Sequence, residues 1–453
     1  MLKKNLNVIL YGIFISCISI MMGNVIENNL LQSIVIFCLV LNAVYLYFYN
    51  KYNKISSFFS DAVILFIVSF SAYFVTYPID FLNGYSSKYT NQQVTSTAIL
   101  YLIGNLFLLL GIFIGNKIAN KTQASIREDV KKEYNFGVAS IIILITGVIL
   151  MAYDQYRLGG ISVLGISNRM NNFAAQRATQ GSSLSLPWHN FIEAGLIGLA
   201  LSVKKNKHIY GVLCFMFIIA LFFFLGLGSR TMILLTCLPA FAIFIDKGYI
   251  KINKIQNLII IGVVLFLFSP FFTNIRNYLI SDTPLYNLPK NSWAWSNGET
   301  GTSFQISMDV VSSNVWTDAD PTYTTSLLYI LPSSIYNLLV GDMKPLNLGD
   351  WYVKYFYSYV YESGGGFGFS PIAQAWMNNG YVSIILVFGI IGFIVSYINK
   401  TSFFKYLLLA LVIWFQRGAF NSVVTEFIYT SVLLVIIILL SKLIKKNRGN
   451  NLA

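Results

Sequence analysis

Long apolar stretches recur along this chain, near residues 6–24, 30–49, 58–80, 95–115, 136–153, 188–203, 210–228, 231–246, 256–272, 381–398, 403–416 and 423–441. Stretches of this kind cross roughly 30 Å of hydrocarbon as helices. Charged residues make up only 11% of the chain, against about a quarter in soluble domains. The sequence therefore predicts an all-α integral membrane protein of about twelve transmembrane helices. Lys3 and Lys4 precede the first stretch, which ends without a small-residue cleavage pattern, so it reads as an uncleaved first helix.

The net charge of +13 could suggest nucleic acid, but its distribution points to the membrane. With the N-terminus inside and the spans alternating, nineteen of the twenty-three lysines fall in inner segments, both termini included. Basic residues concentrate on the cytoplasmic face, where they set orientation and meet anionic lipid. No nucleic-acid partner is expected; membrane lipid is. The predicted organisation is residues 1–272 with nine spans and an external segment 154–187, residues 273–380 as a large external loop, and residues 381–453 with three spans and a basic cytoplasmic tail.

Arginine behaves differently. Six of the eight arginines, Arg157, Arg169, Arg177, Arg230, Arg276 and Arg417, fall outside. A guanidinium stays charged and offers a planar fork that binds phosphate bidentately, so the bias points to an anionic, phosphate-bearing ligand. Three of them share one depth. Arg230 follows Gly226 and Gly228 in a tight hairpin between two spans, Arg276 follows the span ending at Ser269-Pro270, and Arg417 closes another span shortly before Glu426 opens the next. Charge at that level is costly to insert and is a functional candidate for that reason. Glu193, about one and a half turns into the span that begins at Trp188, reads equally as an interior hydrogen-bonding partner or a functional acid.

The 273–380 loop is too long for a plain connector. It carries tryptophans, many tyrosines and the acids Glu299, Asp309 and Glu362, among others. Aromatic faces beside carboxylates suit sugar rings and their hydroxyls, although an aromatic belt at the membrane interface accounts for part of the same composition. The apolar run Leu327–Val340, broken by Pro332, is expected as a re-entrant or interfacial helix. Gly364–Pro371 (GGGFGFSP) lacks the Lys-Ser/Thr of a phosphate-binding loop and reads as a flexible loop or a helix entry. Cys17, Cys38, Cys214 and Cys237 lie in apolar runs, and with His189 and His208 they form no metal-binding spacing. No metal ion or cofactor is expected.

This layout resembles the bacterial O-antigen and capsular polysaccharide repeat-unit polymerases, the Wzy group. The features that carry the resemblance are a Gly-Ser-Arg at the hairpin of the seventh and eighth spans, an Arg ending the ninth, a very long outer loop and a late Arg-Gly. Tyr329-Ile-Leu-Pro332 and Phe367-Gly-Phe-Ser-Pro371 in the loop match the group in kind. The resemblance implies an inner-membrane glycosyltransferase with both termini cytoplasmic and its active site on the periplasmic side. It would move a growing glycan from undecaprenyl pyrophosphate to a sugar hydroxyl of another lipid-linked repeat unit, without nucleotide sugar or metal. Arg230, Arg276 and Arg417 would hold the pyrophosphate. Asp309, Glu299, Glu362 and Glu426, with His189, are candidates for the general base. Arg157, Arg169, Arg177, His189, Tyr278, Glu299, Tyr329 and Glu362 are candidates for substrate contact, and a chain-length regulator is a candidate partner. An O-antigen ligase would share these features. A flippase or polysaccharide transporter would show two related halves and midplane charges, neither of which is legible here.

Overall fold

The computed structural model describes residues 29–53, 58–86, 88–126, 136–158, 160, 187–203, 206–223, 229–250, 294–313, 323–331, 333–340, 346–362 and 365–450. In chain order the helices are α1 (Asn29–Asn53), α2 (Ala62–Leu82), α3 (Asn91–Ile126), α4 (Gly137–Arg157), α5 (Trp188–Ser202), α6 (Asn206–Leu221) and α7 (Arg230–Asp246). After these come α8 (Glu299–Ser313), α9 (Tyr323–Leu328), α10 (Ser333–Val340), α11 (Leu348–Phe356), α12 (Ser358–Glu362), α13 (Pro371–Thr401), α14 (Lys405–Trp414) and α15 (Phe420–Asn450). No strand occurs among the described residues.

Six helices, α1 to α4, α13 and α15, contain stretches long and apolar enough to cross a membrane, and shorter apolar segments lie in α6, α7 and α14. Large apolar side chains such as Phe37, Phe113, Ile149, Phe217, Leu386 and Leu439 are exposed around the bundle, which is the surface expected where hydrocarbon replaces water. Ten of the expected spans coincide with helices. The stretches 6–24 and 256–272 lie outside the described residues.

Between helices in lipid, association rests on close packing more than on the exclusion of water. The longest contact, α3 against α13, follows that rule through glycine. A Cβ at Gly111 would run into the Gly389 carbonyl, and one at Gly115 would stand 2.5 Å from the Phe393 carbonyl oxygen. The two backbones run parallel at this distance only because both faces lack side chains there. The antiparallel pair α4–α5 repeats the device: a Cβ at Gly147 would meet Phe191 at 2.8 Å, and one at Gly195 would meet Leu144 at 2.8 Å.

Lysines gather at one end of the bundle. Lys247 Nζ donates to the carbonyls of Ala200 and Val203, both at 3.1 Å, and so caps the end of α5. Lys400, at the end of α13, bonds Asn120 near the end of α3 at 2.7 Å. Lys405 pairs with Asp246 of α7 at 2.6 Å.

The opposite end carries the long loop, which forms a layer of its own. Ile306, Val310, Leu348, Trp351, Tyr352, Val353, Phe369 and Met377 pack there as a separate apolar cluster. Two boundaries differ from the sequence reading. Helix α13 begins at Pro371, inside the predicted loop, because Ser370 accepts the Ala373 N–H and proline suits the first helical position. It is broken at Asn379–Gly380, where Gly380 takes φ 54°, so the apolar span expected from 381 is the part beyond the break. The run Leu327–Val340 takes in the end of α9, a turn and α10, and neither helix is long enough to span. Leu338 is 84% exposed and Leu339 67%, as suits an element lying at an apolar interface.

Gly111→Leu should lower the thermal midpoint of the detergent-purified protein markedly, since overpacking costs about 1–3 kcal/mol where side chains can shift and here a backbone carbonyl is in the way. Gly211→Ala, with nothing within 4 Å of the added carbon, should leave the midpoint unchanged or slightly raised.

Candidate functional site

Most of the candidate residues that the structure describes lie at the loop end. Helix α14 ends at Trp414, and the turn that follows carries Arg417. Its carbonyl accepts the Phe369 N–H at 2.9 Å. Gly368 takes φ 83°, and a Cβ there would collide with the same carbonyl. The glycine-rich segment is thus a strap tied to the backbone of Arg417. Beneath it, Ser303 Oγ donates to the Gln416 carbonyl at 2.6 Å. The buried Tyr101 hydroxyl lies 3.3 Å from Ser307 and 3.3 Å from Ser370, which are 2.7 Å from each other. Hydroxyls serve here because each can donate and accept inside a water-poor layer.

A second group joins α4, α5 and α15. Arg157 pairs with Asp154 at 3.0 Å, one turn earlier on α4. Asp154 also accepts the Trp188 Nε1–H at 3.1 Å, and the Trp188 ring stands edge-on to His189 with centroids 5.6 Å apart. His189 Nε2 lies 2.8 Å from Glu426 Oε2. Below this contact, Asn190 donates to Thr430 Oγ1 and Thr430 donates to Glu193 Oε2, each at 2.9 Å. Glu193 and Glu426 are both buried, whereas a quarter of the His189 side chain remains accessible. Pairing and hydrogen bonding are what make carboxyl groups tolerable at this depth.

The start of α7 adjoins this group. The Ser229 N–H donates to the Phe223 carbonyl at 2.8 Å, and the Phe223 ring lies 6.0 Å from that of Trp188. Ser229 caps α7, so the backbone of Arg230 opens the helix beside Trp188. Glu426 is six residues into α15, about 9 Å along the axis at 1.5 Å per residue, and Arg417 lies in the turn that leads into the same helix. Arg157, His189, Glu426, Arg417 and the start of the Arg230 helix therefore share one end of adjoining elements.

The other candidates are placed differently. The Asp309 carboxylate accepts from Tyr352 at 2.6 Å, Tyr89 at 2.7 Å and Tyr357 at 3.3 Å, and pairs with Lys88 at 3.4 Å. It joins the α2–α3 connection to α8 and α11. Burial and this carboxylate hold the phenols of Tyr89 and Tyr352 well above the usual tyrosine range. Tyr329 lies beside α15, where Tyr429 donates to the Ile330 carbonyl. Glu362 is exposed at the end of α12, and Glu299 opens α8. Arg169, Arg177, Arg276 and Tyr278 lie outside the described residues.

Sequence reasoning passed over Asp154, Asn190, Thr430, Lys88, Tyr89, Tyr352 and Tyr357. Asp154 had a local signal in its spacing from Arg157 at a helix end. The others acquire their partners only across helices.

His189→Ala leaves a buried carboxylate without its partner, so it should lower the thermal midpoint more than the double change His189→Ala with Glu426→Gln. Orphaning a buried polar group costs roughly 1–3 kcal/mol, and thermal melts of the three proteins measure the difference.

The family described as O-antigen polysaccharide polymerase Wzy matches the chain over residues 6–448. No curated protein and no solved structure matches it.

Proposed function

The chain belongs to the O-antigen polysaccharide polymerase Wzy family, and from that premise we propose a repeat-unit polymerase that works at the loop end of its helix bundle. It transfers the growing glycan from undecaprenyl pyrophosphate to a sugar hydroxyl of another lipid-linked repeat unit. On this reading the bundle has twelve spans, the lysine end and both termini face the bacterial cytoplasm, and the loop layer faces the periplasm. The observation that carries the proposal is the 2.8 Å contact between His189 and the buried Glu426, with Arg157 and Arg417 at the same end.

That contact supports a general base. With Nε2–H donating to the Glu426 carboxylate, Nδ1 keeps its lone pair for the proton of the acceptor hydroxyl. The hydroxyl oxygen bonds to the anomeric carbon as the bond from that carbon to the phosphate oxygen breaks. The proton goes to His189, whose new positive charge faces Glu426, and undecaprenyl pyrophosphate leaves with the bonding pair. Charge grows on the leaving oxygen only as the bond breaks, and guanidinium groups fixed nearby favour that state over the ground state. We assign this task to Arg230, Arg276 and Arg417, and contact with the sugar and phosphates to Arg157, Arg169, Arg177, Tyr278, Tyr329, Glu299 and Glu362. The chemistry calls for no metal ion. Asp309, with three tyrosines and a lysine on one carboxylate, suits the task of holding the loop layer better than that of taking a proton. A chain-length regulator is a candidate partner at the loop layer.

Purified protein supplied with lipid-linked repeat units should yield a ladder of products without added metal or nucleotide. Arg230→Ala and Arg417→Ala should each abolish the ladder while insertion persists. Lysine at these positions should restore it only in part, because the bidentate fork is lost. His189→Ala should slow elongation about 10²- to 10⁴-fold, the usual contribution of a positioned base. A normal ladder from Arg417→Ala would sink the assignment, and accumulation of unattached long polymer in cells lacking the protein would point to a ligase instead.

A further inference from the structure

The polymerase mechanism uses His189 and Glu426 and leaves the neighbouring Glu193 without a task. Glu193 lies one turn below His189 on α5, fully buried. Its Oε2 accepts from Thr430, but its Oε1 is buried with no donor among the described residues, and the same holds for Glu426 Oε1. His189 and Glu193 are one turn apart on α5, Glu426 and Thr430 one turn apart on α15, and the two cross-helix contacts between them place both carboxyl groups on one buried seam. Two ionised carboxylates so placed could not satisfy one another, since both offer acceptors only. Facing one another in a water-poor interior, they would also combine like-charge repulsion with two unsatisfied oxygens. A single proton between the two orphan oxygens removes both costs.

We propose that Glu193 is a positioning residue that holds this shared proton, so that the Glu193–Glu426 pair bears one negative charge and fixes His189 with Nε2–H on Glu426 and Nδ1 toward the acceptor hydroxyl. The inference rests on the reading of His189 as the base. The charge count matters to it. A doubly ionised pair would keep an extra proton on His189 at rest and leave it unable to accept another; a neutral pair would leave the ring without a preferred orientation. Among the described residues, the other groups facing this site are Asp154 from α4, already engaged by Arg157 and Trp188, and the neutral Asn190 and Thr430.

The test uses the full chain in lipid nanodiscs. Infrared difference spectra between the wild type and Glu193→Gln should contain a protonated carboxyl band that shifts in heavy water. Glutamine keeps a donor facing Glu426, so its elongation kcat should stay within about threefold of wild type. Glu193→Ala should lower kcat about tenfold to a hundredfold with KM unchanged, as misorientation of a catalytic group does. Absence of the band, Glutamine as impaired as alanine, or a fully active Glu193→Ala would each overturn the inference. The two readings fail separately. A missing band with an inactive His189→Ala removes the shared proton alone, whereas a present band with a normal His189→Ala ladder removes the base and with it the positioning role.

Discussion

Taking a backbone amide or a charged group out of water without a partner costs several kcal/mol, and a chain that crosses hydrocarbon must meet this requirement at every residue. Helices satisfy the amides from within. What remains is the problem of side chains and helix ends, and most of the polar contacts in the bundle are answers to it. Asn105 donates to Asn42, which donates to Ser71, tying α1, α2 and α3 together in the interior. Asp61 accepts the Val63 and Ile64 amides in the first turn of α2 at 3.0 and 3.1 Å. Lys247 takes up carbonyls at the end of α5.

The same constraint shapes the site. His189, Glu426, Glu193, Asn190 and Thr430 form a chain of contacts in which every side chain has at least one hydrogen-bond partner. A group set this tightly holds its geometry without help from substrate, which is the preorganisation that electrostatic and acid–base catalysis need. The surrounding helices supply the rigidity. Where α4 meets α5, glycine lets the backbones approach closely, so the helix that carries His189 and Glu193 cannot slide against its neighbour.

The loop layer is fixed to the bundle at several distinct points. Asp80 at the end of α2 accepts the Ser296 N–H, Asp309 gathers the tyrosines and Lys88, and the Gly368 strap joins the backbone of Arg417. Helix α13 passes through both layers, packed on α8 outside and on α3 within. A lipid-linked oligosaccharide, whose sugar and lipid parts belong to different solvents, suits such a design.

Residue order alone determined the helical class, the places of ten described apolar helices within a few residues, six of which contain stretches long enough to cross a membrane, and, through the lysines, the orientation expected of each. These are local properties: hydrocarbon thickness sets the length of a run, and charge sets which end stays in water. Arg157, Glu426, His189 and Arg417 could be named as candidates because polar groups beside apolar runs are conspicuous. That His189 meets Glu426, or that Gly368 meets Arg417, could not be read from the chain, since each pair joins residues distant in sequence. The four donors of Asp309 were hidden for the same reason: the sequence shows an acid in the long loop but not the three tyrosines and the lysine that meet it. Tertiary packing decided these pairings, because a hydrogen bond between helices depends on their crossing and rotation, and those are set by the summed contacts of whole faces.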